Sequence, residues 1–222
     1  EVLGQRWVLP VLRELFIGPQ RFSDLRRRMG GGVSTSVLTK RLFVLERQGL
    51  LTRRNLPPPA ASVVYELTAL GRALEPAFLE LVRWGALMMS SPLPGEHFEP
   101  EWLRLAARAF ARGDPTPELS FELCASGEGP DTVVRGRGGA TGTHVGLARG
   151  ESVDLRIKGP AIVLLGYISG RISPESLSSH PDVIIEGETA RMAELPDLFD
   201  VPSEGRTLHR ASETPTQQGA PE

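Results

Sequence analysis

A chain of 222 residues, 40% hydrophobic and 23% charged, holds enough apolar material for two domains of about 100 residues, each with its own core. The formal net charge of −2 conceals a division: residues 1–90 carry 13 Lys and Arg against 7 Asp and Glu, and residues 91–222 carry 12 against 20, so only the first half suits a polyanion. A single cysteine excludes an intramolecular disulfide, no run reaches the roughly 18 apolar residues of a membrane span, and there is no charged-then-apolar leader, which together lead to the expectation of a cytoplasmic protein.

Val2, Leu3, Trp7, Val8, Val11, Leu12 and Leu15 recur at helical spacing and predict an opening helix. Pro10 either kinks it or marks a late start, and Gly18-Pro19 ends it. Phe22, Leu25 and Met29 then share one face of a short helix, which leaves Arg26, Arg27 and Arg28 largely outside. Gly30, Gly31 and Gly32 stop that helix, because glycine accepts the positive φ of a tight reversal, and Ser34 or Thr35 follows as N-cap of the next. In this second helix Leu38, Leu42 and Leu45 fall on one side, with Ser36, Thr39, Lys40 and Arg47 roughly opposite. Beyond Gly49, residues 50–56 alternate as a strand containing Arg53 and Arg54; Pro57, Pro58, Pro59, Ala60 and Ala61 interrupt, and residues 62–67 are strand-like again. Helix, turn, helix and hairpin in that order make a winged helix-turn-helix. A helix with a polar outer face fits the major groove, and a basic hairpin beside it can grip phosphate.

The runs Leu3-Gly4-Gln5-Arg6-Trp7, Leu12-Arg13-Glu14-Leu15, Gly18-Pro19-Gln20-Arg21-Phe22-Ser23-Asp24-Leu25 and Val37-Leu38-Thr39-Lys40-Arg41-Leu42 resemble the HxlR-type winged-helix transcriptional regulators. Glu46-Arg47-Gln48-Gly49-Leu50, Val64-Tyr65-Glu66-Leu67-Thr68 and Leu70-Gly71 extend the resemblance across about the first 90 residues. It implies a bacterial, dimeric protein that binds double-stranded DNA sequence-specifically. Residues matching Ser34, Thr35, Ser36, Thr39 and Lys40 lie at or near the groove, and Arg41 is counted with them. Phosphate contacts are assigned to Arg26, Arg27, Arg28, Arg53 and Arg54, and base-edge readout to Ser36, Thr39 and Lys40. One departure is Phe43, on the outward face where such proteins usually carry a basic or polar residue. The sequence leaves two roles open for it, packing under the wing or touching a thymine methyl.

Thr68 precedes Leu70, Leu74, Phe78, Leu81, Gly85 and Met88, a spacing that predicts one long amphipathic helix over residues 68–89, bent at Pro76. Counting Trp84, Leu87 and Met89, it bears more apolar surface than a small winged domain needs. A twofold homodimer would bury the surplus and set two recognition helices about one DNA turn apart, calling for a palindromic site. The alternative is that the second domain covers this helix. Ser90-Ser91-Pro92-Leu93-Pro94-Gly95-Glu96 reads as linker, and the division expected is 1–89, a linker at 90–99, a second domain at 100–201 and a disordered tail at 202–222.

In the second half a helix over residues 101–111 aligns Trp102, Leu105, Ala106, Ala109 and Phe110. Strands are predicted at 119–125, 132–138, 144–148, 152–157 and 181–186, with helices over Ala161, Ile162, Leu164, Leu165 and Ile168 and over 188–198. The fold class expected is therefore α+β: an N-terminal winged helix-turn-helix followed by a meandering sheet with helices over it. The helix ending in Ser169-Gly170-Arg171 and the run Val183-Ile184-Ile185-Glu186-Gly187-Glu188-Thr189-Ala190-Arg191 make this half resemble the sterol-carrier-protein type of lipid-binding domain. That resemblance implies a tunnel between sheet and helices, lined by Ile162, Leu165, Ile168, Leu195 and Leu198, able to hold an acyl or polycyclic small molecule. The same residues would equally serve as an ordinary core.

The four histidines lie far apart without metal-ligand spacing, Gly136–Gly142 lacks the lysine of a phosphate loop, and Gly166-Tyr167-Ile168-Ser169-Gly170 has its serine one place late for a nucleophile elbow. Cys124, in mid-strand, is expected to be a small buried hydrophobe. No catalysis and no cofactor are expected. The sequence reads as a dimeric transcriptional regulator, with a lipid-binding carrier whose winged half serves dimerisation as the alternative.

Overall fold

The computed structural model describes residues 2–59, 61–88, 98–127, 131–146 and 152–202. Nearly all of the expected linker and the tail from Ser203 lie outside the described residues. Helix α1 (Val8–Ile17) starts late, so Pro10 sits in its first turn, where a missing N–H costs nothing. A two-residue strand β1 (Gln20–Arg21) follows, where only a helix stop was expected, and leads into α2 (Phe22–Arg28). Gly30 and Gly31, at φ of 62° and 68°, make the reversal that any side chain would strain. The Ser34 side chain accepts from the Val37 N–H and caps α3 (Thr35–Arg47). Strands β2 (Leu51–Asn55) and β3 (Val63–Leu67) form the hairpin, with Leu51 opposite Leu67 and Asn55 opposite Val63, and β1 adds to the outer edge of β3.

The expected single helix over 68–89 is two. Thr68 caps α4 (Ala69–Arg72), and α5 (Glu75–Met88) starts afresh with Pro76 in its first turn, so the proline opens a helix rather than bending one. Gly71 allows α4 to lie on the end of the hairpin; a Cβ there would sit 2.0 Å from the Leu50 carbonyl oxygen. One core, built on Val8, Val11, Leu12, Leu25, Leu38, Leu42 and Leu45, lies inside the winged half.

A second core gathers α6 (Trp102–Phe110), β4 (Ser120–Ser126), β5 (Thr132–Arg137), β6 (His144–Val145), β7 (Leu155–Pro160), α7 (Ala161–Ile168), α8 (Pro174–Ser178), β8 (Ile184–Gly187) and a closing 3-10 helix (Thr189–Leu198). The sheet order is β6-β5-β4-β7-β8. The meander ends after β6: β7 crosses to the far side of β4 and pairs with it in parallel, Leu123 opposite Ile157. Phe121, Leu123, Ala125, Leu155 and Ile157 face the helices. The opposite face carries a ladder of charges, Arg135 to Glu122 at 2.9 Å, Glu122 to Arg156 at 2.6 Å and Arg156 to Glu186 at 3.0 Å. The sequence thus folds as a mixed α+β protein with a winged helix-turn-helix at its N-terminal end. Cys124 stands on the outer face, half-buried rather than in the core.

Of the two roles expected for this helix, the second half covers one side of it. Ala86, Leu79 and Val82 of α5 pack into the second core, while Leu81 and Trp84 remain 48% and 62% exposed. Arg83 ties α5 to the end of the fold, donating to the carbonyls of Ala109 at 2.8 Å and Asp200 at 3.0 Å and pairing with the Asp200 carboxylate.

Candidate functional site

Leu38, Leu42 and Leu45 anchor α3 in the first core and turn the rest of its surface outward. Ser34, Thr35, Ser36, Thr39 and Lys40 are all exposed, so the structure brings these expected groove residues onto one solvent face. Phe43 continues that stripe and is 50% exposed, which removes packing under the wing from the two roles left open for it. The Arg47 guanidinium stands over its ring at 5.8 Å, a pairing of neighbours one helical turn apart.

Of the five arginines assigned to phosphate, four lie on the surface. Arg26 and Arg27 are exposed on α2, Arg27 with Asp24 at 3.2 Å. On β2, Arg53 reaches Glu46 at 2.8 Å and Arg54 reaches Glu66 at 3.0 Å. Exposed ion pairs contribute roughly 0–1 kcal/mol, so a phosphate can displace these carboxylates at little cost.

Arg28 corrects the expectation. It lies only three residues from Leu25, on the inner edge of α2, and its side chain is 7% exposed. It pairs with Glu101 and lies 3.5 Å from Glu14, whose side chain is fully buried in α1. Glu14 also accepts from Arg13 Nε at 2.8 Å and from the indole N–H of Trp102 at 3.1 Å, and the Arg13 guanidinium stacks on that indole at 3.7 Å. Two carboxylates and two guanidinia thus form a neutral knot joining α1 and α2 to the start of α6. An unpaired buried charge costs several kcal/mol, and Arg28 is committed to preventing that. Arg41 is diverted too: its Nε donates to the Arg6 carbonyl at 2.9 Å and its Nη1 to Gln5 at 2.7 Å, holding the N-terminal segment against α3.

A polar helix face flanked by surface arginines and a basic hairpin can read base edges and hold phosphate. The HxlR-like helix-turn-helix family matches residues 2–92. An uncharacterized HTH-type transcriptional regulator of Mycobacterium tuberculosis (strain ATCC 25618 / H37Rv) is 34% identical over 142 residues, covering 57% of this chain and 88% of that protein. The chain belongs to the HxlR-like helix-turn-helix family. The HTH-type transcriptional regulator YodB of Bacillus subtilis (strain 168) is 34% identical over 83 residues, 37% of this chain and 73% of that protein. The solved structure of reduced YodB covers 43% of this chain and 89% of its own, at 32% identity and a TM-score of 0.36. This HxlR-like protein is a transcriptional regulator of the helix-turn-helix type.

The residues expected to line a ligand tunnel separate into two groups. Ile168, Leu195 and Leu198 are 1%, 0% and 0% exposed and fill the second core, so the space between sheet and helices is closed at these residues. Ile162 and Leu165, on the opposite side of α7, line a cavity of about 470 Å³ that opens between α5, α6 and α7 instead. Alternation around one helix explains the split: Ala161, Leu164 and Ile168 are buried in the core, while Ile162, Leu165 and Ser169 line the cavity at its edge. Among the described residues no helix is long and apolar enough to cross a membrane.

Shifted titrations in this HxlR-like protein lie away from the outward stripe of α3. Partial burial, with Glu122 beside it, pushes the Cys124 thiol above its usual range, which disfavours the reactive thiolate. Asp154 accepts from the Ser120 N–H and hydroxyl, each at 2.7 Å, and these bonds hold its carboxyl below the usual aspartate range.

Proposed function

We propose that this HxlR-like protein is a sequence-specific DNA-binding regulator that acts as a homodimer on a palindromic operator. The observation that carries the reading is the outward stripe of α3, running from Ser36 through Thr39 and Lys40 to Phe43 with no covering element among the described residues. Ser36, Thr39 and Lys40 offer donors and an acceptor to base edges, and the exposed Phe43 ring suits the apolar methyl of thymine. Arg26, Arg27, Arg53 and Arg54 supply the phosphate contacts that set register and most of the affinity. Leu70, Leu81 and Trp84, at 59%, 48% and 62% exposure, give the apolar surface through which a twin would pair.

The reading makes Lys40 a base contact. Lys40→Ala is expected to cost roughly 1–3 kcal/mol on the cognate site and relax preference at one base position. Equal losses on cognate and random DNA would contradict it.

A second reading concerns the C-terminal half alone: a sterol-carrier-like module that receives a hydrophobic ligand. A mixed sheet with helices on one face, and the apolar cavity beside Ile162 and Leu165, favour it. The sealed positions of Ile168, Leu195 and Leu198 restrict such a ligand to the outer side of α7. A carrier that used the winged half only for pairing would have no use for the polar stripe of α3, so regulation remains the main reading.

A further inference from the structure

The cavity between α5, α6 and α7, at about 470 Å³, falls within the roughly 300–1,000 Å³ typical of small-molecule sites. The rings of Phe98, Trp102 and Phe110 and the aliphatic chains of Ile162 and Leu165 wall it, Phe98 and Trp102 meeting edge to face at 5.7 Å. Its polar side chains are already engaged within the protein. Arg13 pairs with Glu14 and stacks on Trp102, the Trp102 N–H donates to Glu14, the Ser169 hydroxyl donates to the Gly166 carbonyl at 2.9 Å, and Arg171 has a partner of its own. A charged ligand would have to break one of these pairings to replace its water, whereas a neutral aromatic body needs only the carbon walls. Gly85 marks the same place from the side of α5. A glycine in mid-helix is less stable than alanine, and packing does not call for one here: a Cβ would meet nothing within 4 Å. The open space beside it is the cavity, which Gly85 lines together with Val82 and Ala86.

We propose that this cavity is an effector site for a neutral aromatic small molecule of about two or three fused rings, whose binding is passed to DNA through α5. The inference rests on the reading of the protein as a dimeric DNA-binding regulator. Helix α5 meets the cavity through Val82, Gly85 and Ala86 and turns Leu81 and Trp84, part of the proposed pairing surface, to the outside. A ligand lodged between α5 and α7 therefore sets the lie of that surface. With it goes the separation of the two recognition helices, which must match half-sites about one turn of DNA apart. A ligand that binds one arrangement better than another moves the equilibrium by that difference, and the coupling to DNA is reciprocal.

The test uses the full chain with 2-naphthalenemethanol as the neutral aromatic probe, 2-naphthoate as its anionic counterpart and decahydro-2-naphthalenemethanol as its saturated one. Binding is read by calorimetry and DNA affinity by anisotropy on a selected operator. Expected are saturable binding of the aromatic alcohol, at least about tenfold weaker binding of the carboxylate and at least about threefold weaker binding of the saturated alcohol. Operator affinity is expected to change by at least about fivefold at saturation, and operator DNA to change probe affinity by the same factor. Gly85→Leu fills the cavity from a helix that accepts leucine better than glycine, and is expected to abolish both probe binding and the response of DNA affinity to the probe. Ile162→Trp serves if that variant does not fold. Absence of saturable binding, binding that survives the filled cavity, or a carboxylate or saturated alcohol bound as tightly as the aromatic alcohol would each overturn the proposal. Saturable binding that leaves DNA affinity unchanged would overturn it too. DNA affinity without probe is measured first, so loss of the regulator reading itself is seen separately.

Discussion

Replacing Arg28 separates a structural arginine from a DNA-contacting one. In Arg28→Ala the fully buried Glu14 keeps Arg13 Nε and the Trp102 N–H on one oxygen, while its other oxygen loses the guanidinium at 3.5 Å, and Glu101 loses its partner altogether. Breaking a buried pair on one side costs about 3–5 kcal/mol; the partners that remain on Glu14 place the expected loss at the lower end, about 3 kcal/mol. For a chain of this length that corresponds to a fall in melting temperature of about 6–12 °C. The assay is thermal unfolding by circular dichroism, paired with the dependence of DNA affinity on salt. Arg26→Ala is the control: it is expected to leave the melting temperature in place and to reduce the log-log salt slope of a dimer by about 2, one phosphate contact per subunit. Glu14→Leu combined with Arg28→Met, which removes both charges, is expected to recover most of the stability. An Arg28→Ala protein as stable as the wild type, with a slope reduced as in Arg26→Ala, would refute the assignment and return Arg28 to the phosphate backbone.

Trp84→Glu places a charge on the exposed apolar face of α5 and is expected to convert a dimer to a monomer in light scattering without changing the melting temperature; an intact dimer would move the interface elsewhere. Asp154 has a pKa below that of the unfolded chain, so its contribution is present at neutral pH, complete above about pH 5, and lost as pH falls through the lowered value. Urea midpoints of Asp154→Asn are therefore expected to fall below wild type at pH 7 and converge with it in acid, whereas parallel curves would sink the linkage.

The winged half was legible because its signals are local. Ser34 and Thr68 sit where caps must sit, the glycine run has nothing but a reversal to make, and the leucines of α3 keep strict helical spacing. Arg28 was misread because its partners lie in other elements, Glu101 being 73 residues away. A signal was present all the same: Glu14 falls beside Val11 and Leu15 on the apolar stripe of α1, and a carboxylate there needs a buried cation. Pro76 supports either a bend or a helix start from sequence alone, and only the packing of α4 against the Leu50 carbonyl decides it. The parallel pairing of β4 and β7 has no local signature, since neighbouring strands in a sheet need not be neighbours in sequence. The same holds for the cavity: Ile162 and Leu165 were readable as apolar positions on a helix, but which face of that helix met the core depended on where α5 and α6 came to lie.

Selection from a randomised duplex pool, followed by anisotropy on the winning sequence, tests base-specific DNA recognition by α3. The expected result is a palindrome with half-sites about 10 base pairs apart, bound with a Kd of roughly 10⁻⁸ M or tighter in excess random competitor, with a log-log salt slope near −7 from about eight phosphates per dimer. Lys40→Ala should lose preference at one position of each half-site. A pool that stays random through selection, with Lys40→Ala and wild type binding it alike, would rule out base readout by α3.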